Sequence, residues 1–179
     1  MQKEALTQLL RRLQFTADCS ENMLQRLAAA AEVRRFLPHE QLFREKSENE
    51  QLMIIGSGRV ALDLLVPGHG SVQLLRLGPG ELLGWSTLLG GRMTTTATAV
   101  EETMIIAISA SEVLAACDAD HSFGYWLMRR VADSLAGRLA DTRRQLVDLL
   151  TFDEAIGIPV SRPTRSKASG DTVPGKPRL

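Results

Sequence analysis

The chain has 179 residues, room for one core with appendages, and its 44% apolar and 23% charged residues are ordinary for a soluble globular protein. Twenty-one basic residues balance twenty-one acidic ones, so no global field draws it to nucleic acid or an anionic membrane. No apolar run reaches the ~20 residues needed to cross a bilayer, and Met1-Gln2-Lys3-Glu4 opens an amphipathic pattern without a signal-peptide core, so a cytoplasmic location is expected. Cys19 and Cys117 are too few for a disulfide framework or a zinc site.

Leu6, Leu9, Leu10 and Leu13 recur at helical spacing and predict an opening helix. Phe15-Thr16 breaks it, and Ser20 is placed to cap a second helix through Leu24, Leu27 and Ala31. From Val33 the period changes. Leu42–Arg44, Leu52–Ile55, Arg59–Leu64 and Val72–Leu75 read as short strands, followed by Thr96–Val100 and Thr103–Ile108. Pro38-His39-Glu40, Gly56-Ser57-Gly58, Pro67-Gly68-His69-Gly70 and Gly78-Pro79-Gly80 supply the turns between them. Short strands so closely spaced imply a sandwich or jelly roll.

The stretch from Leu77 to Ala99 organises the rest. A strand enters a Gly78-Pro79-Gly80 turn; Glu81 and a short apolar segment follow, then a Gly90-Gly91-Arg92 break and the Thr/Ala-rich run Met93–Ala99. Glycines let a ligand approach the main chain, a carboxylate at such a turn accepts from hydroxyl pairs, and an arginine beyond it can hold a phosphate through two parallel bonds. Gly80-Glu81-Leu82 resembles the phosphate-binding cassette of the cyclic nucleotide-binding domain family. Ile54–Val60 resembles the family's Ser-Gly hairpin, and Phe43-Arg44-Glu45 its Phe-x-x-Gly-(Asp/Glu) turn, with Lys46-Ser47 where Gly-Asp is usual. Met93 falls where the family's arginine belongs, with Arg92 one residue early, and the Gly84-Trp85-Ser86 form is closer to the Fnr branch, whose members often bind no cyclic nucleotide.

The resemblance covers roughly Leu9 to Leu150. It implies an α+β fold: an antiparallel jelly roll with N-terminal helices and a long C-terminal dimerisation helix. The expected layout is a cyclic nucleotide-binding-like domain over 1–150, with a β-roll at 32–108, a cassette at 78–99 and a dimer helix at 123–150. Along that helix Leu127, Val131, Leu135, Leu139, Thr142, Leu146 and Leu149 form one narrow stripe, the pattern of a two-stranded coiled coil. At ~40 Å it outruns a small barrel, so a symmetric homodimer is expected. Residues 151–179 read as a disordered tail. No helix-turn-helix pattern fits there, so direct sequence-specific DNA binding is not expected.

The resemblance also assigns a ligand set for a cyclic nucleotide, cAMP or cGMP. Glu81 would accept the ribose 2′-hydroxyl beside the Gly80 and Leu82 main chain. Arg92 would pair with the phosphate, helped by Thr94 and Thr95, and Ser134 would meet the base. The bland alternatives are that Glu81 caps the element it begins and that Arg92 is a loop arginine. The function implied is a non-enzymatic small-ligand sensor or adaptor, without metal, coupling the cassette to the dimer helix. The alternative is a Fnr-like interaction module that keeps the fold, binds no cyclic nucleotide and acts through an unidentified protein partner.

Catalysis and redox sensing fit the residues less well. His39, His69 and His121 have no ligand-pair spacing, and no nucleophile-elbow Gly-x-Ser-x-Gly occurs. Cys19 precedes a helix N-terminus, a position expected to lower its pKa. Trp85 and Trp126, if packed together, would join the cassette to the long helix.

Overall fold

The computed structural model describes residues 2–156, with side chains over 3–148. Two helices, α1 (Gln2–Arg12) and α2 (Glu21–Ala30), precede eight strands: β1 (Ala31–Phe36), β2 (Gln41–Phe43), β3 (Gln51–Ser57), β4 (Val60–Val66), β5 (Gly70–Leu77), β6 (Leu82–Leu83), β7 (Thr96–Ala99) and β8 (Thr103–Ser109). Two further helices follow, α3 (Ala110–Ala119) and α4 (His121–Ile156). Ser20 caps α2 as expected, its hydroxyl accepting from the Met23 N–H. Asp120 caps α4 by accepting from the N–H groups of Ser122 and Phe123.

The strands form two antiparallel four-stranded sheets, ordered β1-β8-β3-β6 and β2-β7-β4-β5. The jelly-roll expectation holds. In the first sheet Leu52 pairs with Ile108 and Ile54 with Ile106, and the register shifts between Ile55 and Ser57. Side chains alternate across a strand, so β3 and β8 each serve two cores. Met53, Ile55, Ile105 and Ala107 meet Leu62, Leu77 and Ala97 of the second sheet. Leu52, Ile54, Ile106 and Ile108 meet Leu10, Leu24, Leu27, Phe123 and Leu127 from the helices. Both faces being covered, these strands read as unbroken apolar runs.

The first compact unit closes at Thr142, and a second begins at Arg143. Helix α4 is longer than expected at both ends: residues 151–156, assigned above to the tail, are helical. The remaining tail expectation, 157–179, lies outside the described residues. The apolar stripe needs a larger correction. Leu127 is 0% exposed and Val131 is buried, both within the chain's own core, so neither is available to a partner. Leu135 is half-buried against the same core, whereas Leu139, Thr142 and Leu146 are exposed. The Leu149 side chain lies outside those described.

At the turn after β2, Lys46 adopts φ +64°, where the resemblance expects glycine. A left-handed conformation costs a residue with a Cβ about 1–2 kcal/mol. Tight backbone pairing holds it there: the Lys46 N–H donates to the Met93 carbonyl at 2.7 Å, and the Met93 N–H donates to the Ser47 carbonyl at 3.0 Å.

Candidate functional site

The Gly-Pro-Gly turn ends β5 and aims Glu81 back on itself: its carboxylate accepts from the Gly78 N–H at 2.7 Å. Gly80 has φ +86° and sits so close to the 3-10 turn Gln14–Thr16 that a Cβ would lie 3.0 Å from the Gln14 nitrogen. Two residues of strand, Leu82-Leu83, pair with β3 before Gly84 turns the chain at φ +68° into a second 3-10 helix, Trp85–Leu89. A Cβ at Gly84 would meet the Gln51 carbonyl at 2.7 Å, so the sharp entry to that helix depends on glycine.

This path divides the expected ligand set between two places. Gly80, Glu81 and Leu82 line a cleft of about 240 Å³ against α4, which contributes Arg130, Asp133, Ser134, Gly137, Arg138 and Asp141. Gln14 and Phe15 form its third wall. Thr94 and Thr95 instead line a recess of only about 10 Å³ with Gly84, Trp85, Ser86 and Met93. Arg92 lines neither; it is 69% exposed and lies 3.5 Å from Glu48. Met93, at the cassette position where the resemblance expects arginine, is buried, its sulfur 3.8 Å from the Ser86 hydroxyl.

One residue borders both cavities. Arg138 reaches from α4 between the cleft and the recess and donates through Nη2 to the Leu82 carbonyl. Its Nε is buried without a hydrogen-bond partner. Burial pushes the guanidinium below its usual pKa, and the Glu81 carboxylate counteracts that shift. Arginine stays ionised in proteins, so the result is a half-buried positive charge with a spare buried donor between two cavities. The sequence reading missed it. The signal was its place four residues after Ser134, on the row Leu127, Val131, Ser134, Arg138 that faces the domain.

Arg130 occupies the same face two turns earlier. Its Nε donates to the Phe15 carbonyl at 2.8 Å, Nη2 donates to the Gln14 carbonyl, and Nη1 lies 3.5 Å from Asp18. Beside it Trp126 stacks on Phe123 at 5.9 Å and meets the edge of Phe15 at 6.1 Å. The ring partners of Trp126 are therefore these phenylalanines, and both tryptophans border the helix-side core.

The Cys19 expectation is overturned. Burial pushes its thiol up to about 12, with Arg130 pulling weakly the other way, because desolvation of a thiolate outweighs the helix terminus here. Cys117 is raised too, by burial and then by Asp118. Among the described residues no group of three or more His, Cys, Asp or Glu is placed to hold a metal ion, and no described helix is long and apolar enough to cross a membrane.

Comparison with known proteins places this geometry. Residues 33–120 match the family model described as the cyclic nucleotide-binding domain. The chain is 35% identical over 130 residues to the cyclic AMP receptor protein of Thermus thermophilus, covering 68% of this chain and 55% of that one. It therefore spans about half the length of this curated relative. Among solved structures it is similar to the catabolite activator protein of Thermus thermophilus, with a TM-score of 0.62 and 27% identity over 79% of this chain and 64% of the other. A cyclic nucleotide-binding domain from Methylobacillus flagellatus superposes with a TM-score of 0.71 over 82% of this chain and 83% of the other; at 17% identity it speaks for the fold alone.

Proposed function

Because the chain belongs to the cyclic nucleotide-binding domain family through residues 33–120, we propose that it is a non-enzymatic regulatory module that senses a small anionic ligand, a cyclic nucleotide, in the cleft between the cassette turn and α4. The observation that carries this reading is Arg138. A half-buried guanidinium whose buried Nε is unpaired, bordering both a cleft and the threonine-lined recess, is a poor structural filler and a good anion receptor. Glu81 opposes it from the cassette and Ser134 stands one turn away on α4, so a ligand held there would touch both elements. That contact would couple occupancy to the helix, provided the ligand binds one arrangement better than the other.

A second copy of the chain is the proposed cover for the outer face of α4. With Leu127 and Val131 turned inward, the outward seam becomes Met128, Ala132, Leu139 and Thr142, with half-buried Leu135 at its edge, again at steps of four and three. Met128 is 40% and Leu139 52% exposed. The proposed setting is cytoplasmic, and the domain layout is the one expected above with α4 continued to Ile156.

Two observations favour the second reading, a Fnr-like module that keeps the fold without the nucleotide. The recess beside Thr94 and Thr95 has room for about one water, and Arg92 is turned to Glu48 rather than to either cavity. Calorimetric titration with cAMP, then cGMP, separates the two. The sensor reading expects saturable binding near one ligand per chain, weakened at least roughly tenfold by Arg138→Ala and by Glu81→Ala, each removing a charged contact. Arg92→Ala should bind as the parent does. Flat titrations with both nucleotides would leave the second reading.

A further inference from the structure

The 3-10 turn Gln14–Thr16 is held at three points. Below it lies Gly80 of the cassette, in contact with the Gln14 backbone. Behind it the Phe15 ring is buried against Trp126. In front of it the Arg130 guanidinium takes the Gln14 and Phe15 carbonyls. The first two contacts are neutral packing; the third is a pair of charge-assisted hydrogen bonds to neutral carbonyls, and it is made by a residue that also lines the cleft.

We propose that Arg130 is a ligand-operated latch: in the free chain it closes the cleft by holding this turn, and an anionic ligand seated on Arg138 draws it off. The proposal rests on the sensor reading above. Arg130 and Arg138 are eight residues apart, about 12 Å along one helix face, with Ser134 midway. Among the described residues the acidic partner of Arg130 is Asp18, which is 80% exposed and so contributes little. Its other two acceptors are neutral carbonyls. A ligand phosphate or other acidic group beside the Arg130 side chain, which is 19% exposed against 80% for Asp18, offers an ionised acceptor that those carbonyls cannot match.

The exchange has a defined consequence. Once Arg130 leaves, the turn keeps its packing on Gly80 and Trp126 and the local hydrogen bonds of Thr16 to the Leu10 and Leu13 carbonyls, but loses its tie to α4 through the Gln14 and Phe15 carbonyls. The cleft widens on the side of Gln14 and Phe15, and the link between α4 and the N-terminal helices slackens. Arg130 acts here as a positioning residue, setting where the third wall stands. Ligand admission and release of the N-terminal segment become one event.

Hydrogen exchange read by mass spectrometry on the full chain tests this, run with and without saturating cAMP or cGMP beside the calorimetric titration. The amides to follow are Thr16, Ala17 and Cys19, which donate to the carbonyls of Leu13, Gln14 and Thr16. Nucleotide binding should speed their exchange by roughly tenfold, and Arg130→Gln should show the fast rate already and respond no further. If heat is released while the turn stays slow, the latch is overturned and the sensor reading stands. No heat and no change with either nucleotide would overturn both. Should Arg130→Gln fail to fold, Arg130→Lys keeps the charge but cannot bridge two carbonyls. Exchange in that variant at the parent's rate would overturn the latch as well.

Discussion

The interior of β3 and β8 and the cleft beneath α4 belong to the same compact unit, yet they are built by opposite rules. Eight consecutive-strand side chains, Leu52–Ile55 and Ile105–Ile108, are all 0–1% exposed and wholly apolar. The cleft gathers Glu81, Arg130, Asp133, Arg138 and Asp141, and leaves a buried donor of Arg138 unmatched. The first region stabilises the fold and tolerates no polarity. The second gathers charges at a cost to the fold, the arrangement that the proposed sensor reading requires.

Breaking the apolar side gives the largest expected effect. Ile106→Ala removes a fully buried side chain from between the sheet and the helices, and urea denaturation should show a loss of about 3–4 kcal/mol with little change in slope. Arg138→Met sharpens the contrast from the other side. Replacing a buried charge by an apolar chain of similar length should leave stability unchanged or raise it by about 1 kcal/mol, while anion binding falls. A loss of more than ~1 kcal/mol in urea would mean that the guanidinium is structural after all, and the contrast would fail.

The smallest effect is a pH dependence at the edge between the two regions. The Cys19 thiol titrates at 9.0 when exposed and is pushed up to about 12 in the folded chain. Above pH 9 the unfolded chain loses this proton while the folded chain keeps it. The stability it contributes is therefore complete below pH 9 and declines as pH rises toward 12. Thermal melts of the parent and Cys19→Ser across that window should converge as pH climbs, and at pH 8 the parent's thiol should react slowly with an aromatic disulfide reagent. Fast labelling at pH 8 would show that Cys19 is not buried in the way described.

The architecture was legible because its signals are local. Turn residues between Val33 and Thr103 separate the strands, Ser20 stands where a helix cap belongs, and the cassette lies in family order. The site was only half legible. Glu81 and Ser134 do share the cleft, but nothing in their spacing shows that Arg92 turns to Glu48 and that Arg138 takes the position between the cavities. The long helix explains why. Two apolar seams that converge on Leu135, Leu127-Val131-Leu135 and Met128-Ala132-Leu135, both fit helical periodicity, and only tertiary packing chooses which faces inward. Lys46 is a similar case: its left-handed backbone is imposed by pairing with Met93, and no local preference of lysine announces it.

The two-faced burial of β3 and β8 has a bearing on folding fidelity. In a half-exposed strand a slip of one residue throws apolar side chains into water, and that penalty polices the register. Here a slipped β3 would merely trade one core for the other, so solvent offers no such correction. The irregularity between Ile55 and Ser57 supplies what water cannot. Ile55 pairs with Ile105 and Ser57 with Met104, so Gly56 is an extra residue without its own partner on β8, and the bulge acts as an index mark for the pairing.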